Sequence, residues 1–310
     1  MNLNLDISVV IPVFNSEKSI RELIKRISDE LQQFTIEIIL VDDASIDNSW
    51  EVLKEIQANF NMVTIIKLAK NYGQHNATIC GLKQASGNTI ITMDDDLEHL
   101  PETLLLLYHH FKKSKTAILY ACPEKRTKGW LRNFSGNIWN KLLYISNKGI
   151  SNASSFRVMS KKLAHSIANH IEPFVHIEAI VKWYTQEIDF LNVPFGHRKY
   201  GTSNYSIYKL YNLNHDLGIH YNTHILKLMR NFGITVFIFS IALIIYFITK
   251  KIYGNPVPGY TSLIIVGLFS TGSILWGLGY LGTYIGKMFR ILNKEPQYHI
   301  EEIKLSMKSN

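Results

Sequence analysis

The sequence predicts an α/β fold, a parallel sheet wrapped by helices, followed by interfacial helices and two C-terminal transmembrane helices. Three observations predict it. Short β-branched runs alternate with amphipathic stretches in the front of the chain. Acids and other polar residues cluster just after those runs. Two long uncharged stretches lie near the C-terminus.

The runs are ISVVIPV (7–13), IEIILV (36–41), MVTIIKL (62–68), NTIITM (88–93) and AILYA (117–121). Each is short, apolar and rich in Ile, Val or Thr, as buried strands are. Residues 17–33, 49–59, 76–85 and 102–112 separate them and carry apolar residues at helical spacing. Such alternation predicts parallel strands joined by crossover helices. In open sheets of this kind ligands lie beyond the carboxyl ends of the strands. Four of those ends carry polar groups: PVFN (12–15), Asp42 and Asp43, NYG (71–73), and Asp94, Asp95 and Asp96.

Residues 129–147, GWLRNFSGNIWNKLLYISN, set Leu131, Phe134, Ile138, Leu142 and Ile145 on one helical stripe. Trp130, Trp139 and Tyr144 lie near it, with Lys125, Arg126, Lys128, Arg132 and Lys141. A helix of that composition lies in a membrane interface; a core-facing helix is the alternative. Residues 205–231 mix Tyr, Leu, Lys and His as a juxtamembrane segment would. Residues 232–249 and 260–286 are uncharged and long enough to span a bilayer. The mean hydropathy of +0.01 thus averages a polar front and an apolar tail. The expected division is an α/β domain at 1–204, interfacial helices at 205–231, two spans within 232–286 with a loop at 250–259, and a tail at 287–310.

Net charge is +8 over 310 residues, which favours anionic partners. The basic residues are dispersed and no zinc-finger or RNA-recognition signature is present, so no nucleic-acid partner is expected. The two cysteines, Cys80 and Cys122, sit in apolar surroundings and suit a reducing compartment. The N-terminus enters a strand without a basic n-region, so no signal peptide is expected. Lys227, Arg230, Lys287, Arg290 and Lys294 flank the spans on one side, against Lys250 and Lys251 on the other. That bias predicts both termini in the cytoplasm and residues 250–259 outside.

The stretch TMDDDLEHLPE (92–102) gathers three adjacent acids at a strand end. On an extended chain Asp94 and Asp96 point one way and Asp95 the other. Two carboxylates so placed are hard ligands for Mg²⁺ or Mn²⁺, which fills its other positions with phosphate and water. A solvated acidic turn ahead of a helix is the alternative. Gly73 and Gly81 suit close backbone approach to a phosphate or ordinary turns and packing. His165, His170 and His176 show no ligand spacing and read as surface residues. Ser154 and Ser155 lack partners for a hydrolase triad. Gly282-x-x-x-Gly286 allows a second copy to pack closely, which leaves a homo-oligomer open.

IPVFN, VDDASIDNS, NYGQHNATICGLKQASG, MDDDLEHLPE, SSFRVMS and HRKYGTSNYSIYKL, in that order, resemble glycosyltransferase family 2, and within it the polyprenyl-phosphate transferases that resemble dolichol-phosphate mannose synthase. The resemblance implies a GT-A nucleotide-binding sheet and an inverting, metal-dependent transfer from a nucleotide sugar, UDP-linked by preference, to polyprenyl phosphate. It implies Pro12, Phe14, Val41 and Asp43 around the nucleoside, with Asp43 on the base, and Asp95 at the sugar. It implies Asp94 and Asp96 as ligands of Mg²⁺ or Mn²⁺, with Asp96, Arg126 and Arg198 acting at the reacting phosphates. A multi-pass protein of the inner (cytoplasmic) membrane follows, its catalytic domain on the cytoplasmic face and its product serving cell-envelope glycans. Three positions depart from the family pattern: the acid after Asn15 is displaced to Glu17, Glu98 stands for Gln or Ser, and Asn204 for a basic residue. A family 2 enzyme extending a glycan at a hydroxyl, or an inactive membrane scaffold, are the alternatives.

Overall fold

A computed structural model describes residues 5–124, 154–170, 172, 176–196 and 260–306, with part of 231–249. Five strands follow the predicted runs: β1 (Ile7–Val13), β2 (Ile36–Asp42), β3 (Val63–Leu68), β4 (Thr89–Thr92) and β5 (Ile118–Pro123). Between them lie α1 (Ile20–Glu30), α2 (Ser49–Asn59), α3 (Gln74–Gln84) and α4 (Leu104–Lys113), the last led by a 3₁₀ turn at Pro101–Thr103. α1 shows the rule that forms these helices. Ile20, Leu23, Ile24 and Ile27 recur at helical spacing and are all buried, so one stripe covers the sheet.

The sheet is mixed where the sequence reading made it parallel. Its order is β7-β5-β6-β4-β1-β2-β3-β8, where β6 is Arg157–Ser160, β7 is Ile188–Val193 and β8 is Ile300–Lys304. β1, β2, β3 and β4 pair in parallel, whereas β6 runs antiparallel to β4 and β5, and β8 antiparallel to β3. β1 sits between β4 and β2, so three neighbouring strands deliver their carboxyl ends to one shelf. Their fully buried side chains, among them Val9, Ile11, Ile38, Leu40 and Ile91, form the core with α1 and α4.

The chain divides into two compact units: Met1–Asn204 with Pro296–Asn310, and Tyr205–Glu295. The final segment therefore rejoins the sheet. Ala69 N–H donates to the His299 carbonyl at 3.0 Å, Ser306 N–H to Thr64 Oγ1 at 3.0 Å, and Gln57 Nε2 to the Leu305 carbonyl at 3.1 Å. Burial pushes the Cys80 thiol up to about 12, and Tyr298 bonds to it. This cysteine is an inert core residue.

The second unit contains a 33-residue helix, Tyr260–Leu292, about 50 Å long at 1.5 Å per residue. Leu263, Val266, Phe269, Ile274, Leu278 and Ile285 on it are all more than half exposed. Helical backbone recurs at described positions between Asn231 and Thr249. Among the described residues no helix is long and apolar enough to cross a membrane; side chains of the long helix such as Ile264 and Ile265 lie outside that set.

Candidate active site

The shelf begins where β1 and β2 end. Pro12 pairs with Val41 in the strand register, and Asp43 N–H donates to the Val13 carbonyl at 2.9 Å. Pro12, Val41 and Asp43 are buried, and Phe14 stands out from the strand end. The four residues expected around a nucleoside thus come together. Asp43 has a structural role that its position in the sequence did not reveal. Its carboxylate accepts the backbone N–H of Tyr72 at 2.7 Å and of Gly73 at 2.8 Å, tying the loop after β3 to the end of β2. Gly73 sits at φ +88°, a conformation side chains disfavour, so this glycine serves the turn. Gly81 serves packing, since a Cβ there would lie 2.4 Å from Val10 Cγ1. Burial pushes Asp43 up to about 6 against the pull of its two N–H donors.

The three acids after β4 take three different sets of partners. Asp95 turns to the β1 loop: its Oδ2 accepts Phe14 N–H at 3.0 Å and the Ser16 hydroxyl. The residue that displaces the expected acid, Ser16, is therefore an Asp95 partner, while Glu17 accepts Asn48 N–H at 3.2 Å in the neighbouring loop. Asp95 is pushed up to about 7, chiefly by burial, with Asp94 and Asp96 adding to the rise. Asp94 turns elsewhere, accepting Gln74 Nε2 at 2.5 Å and Ser155 Oγ at 2.7 Å, and its own N–H donates to His99 Nδ1 at 2.9 Å. Asp96 accepts Glu98 N–H at 3.0 Å.

With Asp95 committed to the β1 loop, Asp94 and Asp96 are the hard oxygen donors of the triplet. His99 Nε2 also stands 3.9 Å from Asp94 Oδ2, and among the described residues no group of three His, Cys or acidic side chains gathers around the pair. That donor set fits Mg²⁺ or Mn²⁺, which takes one or two carboxylates and leaves the remaining positions to phosphate and water. Backbone strain marks the same place. Asn15 (φ 57°), Ala44 (φ 56°) and Leu97 (φ 65°) are three of the four non-glycine residues with positive φ among the described residues. Each follows a strand end at the shelf, and conformations of that kind gather at functional sites.

Behind Asp94 runs a buried polar chain that the sequence did not disclose. The register sets Arg157 opposite Thr92. Arg157 Nε donates to Thr92 Oγ1 at 3.0 Å, Thr92 Oγ1 donates to the Ser155 carbonyl at 2.6 Å, and the Ser155 hydroxyl reaches Asp94. The other end of Arg157 holds Glu178 at 2.8 Å, beside His75 and His176. His165, His170 and His176, expected at the surface, are half-buried instead. His165 Nε2 lies 2.9 Å from the Ala85 carbonyl, and His170 Nδ1 lies 3.2 Å from the Tyr184 hydroxyl.

Arg126 and Arg198 lie outside the described residues, as do 129–147 and 250–259. The described chain stops two residues short of each arginine. Glu124 N–H donates to the Val193 carbonyl at 3.3 Å, and Gly196 N–H to the Glu98 carbonyl at 2.8 Å, two residues from Asp96.

The sequence profile of glycosyl transferase family 2 matches residues 8–165, just over half of the chain. Over 305 residues the chain is 28% identical to the SfII prophage-derived bactoprenol glucosyl transferase of Shigella flexneri, covering 96% of this chain and 98% of that protein. It is also 28% identical to the undecaprenyl-phosphate 4-deoxy-4-formamido-L-arabinose transferase of Serratia proteamaculans, over 96% of this chain and 93% of that one. Among solved structures, Mycobacterium tuberculosis glucosyl-3-phosphoglycerate synthase in complex with Mn²⁺, UDP and phosphoglyceric acid superposes with a TM-score of 0.51. That match covers 69% of this chain and 76% of the other at 18% identity, a likeness of fold.

Proposed function

We propose that this chain, which belongs to glycosyl transferase family 2, moves a sugar from a nucleoside diphosphate, UDP by preference, to polyprenyl phosphate at a membrane. The carrying observation is the order of groups along the shelf. β1 lies between β2, which ends at Asp43, and β4, which ends at the acid triplet. A nucleotide sugar laid across those ends meets Pro12, Phe14, Val41 and Asp43 at its base and Asp94 and Asp96 at its diphosphate.

A divalent cation held by Asp94 and Asp96 would supply charge stabilisation to the departing diphosphate. The chain's own residues do the rest. Asp95 locks the β1 loop against the shelf, so the nucleoside side and the sugar side keep one spacing. Gln74 and Ser155 aim the Asp94 carboxylate. A lipid phosphate is already anionic near neutral pH and needs no strong general base. Its approach needs cations, and Arg126 and Arg198 are assigned that role by their motifs. The similarity extends over the apolar C-terminal third to relatives named for bactoprenol and undecaprenyl phosphate, which supports a lipid acceptor over a glycan hydroxyl. A panel of nucleotide sugars offered to membranes with a short polyprenyl phosphate tests this reading. One donor should be turned over only when the lipid phosphate is present; turnover that ignores the lipid would overturn it.

If Arg126 and Arg198 grip the acceptor, replacing either by Ala should raise the KM for polyprenyl phosphate. Lys should restore activity only in part, since a point charge lacks the planar fork of guanidinium. A rise in the donor KM alone would assign them to the wrong substrate.

The nucleoside side carries its own pH signature. A base N–H needs the ionised Asp43 as acceptor, so UDP affinity should fall as pH drops through about 6. Asp43→Asn should remove that step in calorimetric titrations on either side of it. The sign for folding is opposite: Asp43 ionises more readily in the unfolded chain, so its contribution to stability declines as pH rises towards 6.

The chain leaves the sheet-bearing unit after Asn204 and returns at Pro296. A membrane segment between those points must cross an even number of times, which supports two spans with both ends on one face. The exposed apolar residues of the Tyr260–Leu292 helix are the surface such a span presents to lipid. A reporter fused after Asn310 should be active on the cytoplasmic side, and a cysteine placed within 250–259 should label from outside. A reporter active only outside would contradict this topology.

A further inference from the structure

We propose that His75, His176 and Glu178 form a second metal site, selective for zinc or a similar late transition ion and separate from the carboxylate pair Asp94 and Asp96. His176 Nδ1 lies 3.0 Å and His75 Nδ1 3.8 Å from the same Glu178 oxygen, Oε2. One ligand atom from each of the three residues lies within 4.8 Å of the others. A tetrahedral ion with bonds of about 2.0–2.1 Å spaces its ligands roughly 3.3 Å apart, so small side-chain adjustments would close the site.

Two helices and a buried arginine hold the three side chains in place. His75 lies in the first turn of α3, while His176 caps the helix Ile177–Tyr184 and Glu178 lies in its first turn. The imidazole rings pack with centroids 4.4 Å apart. Arg157, fully buried, holds the other carboxylate oxygen at 2.8 Å and fixes the direction of Oε2, as outer partners of metal ligands do.

An independent observation points to a missing partner. Glu178 Oε2 is buried and, among the described residues, accepts no hydrogen bond, although two ring nitrogens stand close by. A buried acceptor left unmade costs about 1–3 kcal/mol, and a cation among the three residues would satisfy it. The two imidazoles bring ring nitrogens and Glu178 a carboxylate oxygen, one ligand atom each. The donor set also names the class of ion. Arg157 already balances the carboxylate charge, which leaves Mg²⁺ little to gain. Two imidazoles with one carboxylate suit zinc and its neighbours, whereas the all-oxygen pair suits Mg²⁺ or Mn²⁺.

The test is zinc titration of the purified full-length protein against a chromophoric chelator in excess Mg²⁺, with cobalt(II) as spectroscopic probe. One equivalent of zinc should be held, and cobalt should give the intense visible bands of four-coordination. Both should persist in the Asp94→Asn/Asp96→Asn double variant. His176→Ala should weaken zinc by at least about 10-fold, the scale of losing even an outer partner, and abolish the cobalt bands. His75→Asn carries the same expectation should His176→Ala misfold. Zinc binding lost in the double variant, or indifferent to both histidines, would overturn the proposal and leave the cluster as an ion-pair network.

Discussion

Asp94→Asn and Asp96→Asn should each lower transfer by on the order of 1000-fold while the protein stays folded. The size follows from what a metal held by this pair would do. A cation on a departing diphosphate supplies several kcal/mol of transition-state stabilisation, and about 4 kcal/mol is a factor near 1000. The fold should survive because both side chains are half-buried at a strand end, outside the apolar core. At Asp94 the amide keeps the shape, one oxygen can still accept from Gln74, and the Ser155 hydroxyl can turn to accept where it now donates. Transfer rates with Mg²⁺ and with Mn²⁺, beside melting temperatures, check both halves. Full activity of both variants at saturating metal would remove the carboxylates from the metal role.

The second large effect is on stability. Glu178→Ala strands the Arg157 guanidinium, whose side chain is 1% exposed, without its carboxylate. Removing one partner of a buried ion pair costs about 3–5 kcal/mol, so the melting temperature should fall well below that of the parent chain. Glu178→Gln should lose less, because an amide oxygen still accepts from Arg157. Both changes should also loosen Asp94, since Arg157 Nε is the anchor of the chain through Thr92 and Ser155. An unchanged melting temperature for Glu178→Ala would mean that water already shares this pair.

The central sheet and the acids of the shelf were legible because both are local patterns. A buried parallel strand is a continuous apolar run, and each acid follows its run directly. β6, β7 and β8 were not legible, for reasons visible in their residues. RVMS is only four residues long and carries a buried arginine. IDFLNV is half-buried at a sheet edge, and IEEIK carries three charges in five residues on the opposite edge, pairing with a strand far away in sequence. The supports of the site escaped for the same reason. Ser155 and Arg157 reach Asp94 and Thr92 from more than sixty positions away, and Glu178 meets Arg157 only after the chain has turned through another helix. His176 read as a surface residue because histidine spacing in the chain carries no trace of contacts made by folding.

The product of the reaction tests the central claim most directly. Purified protein, the donor selected from the nucleotide-sugar panel, divalent metal and a short polyprenyl phosphate should yield one lipid species. Mass spectrometry should find it heavier than the acceptor by a single sugar residue, joined through the phosphate and split from it by mild acid, and the Asp96→Asn variant should not form it. A sugar found on a glycan hydroxyl, or an unmodified lipid phosphate alongside free sugar and nucleoside diphosphate, would contradict the account.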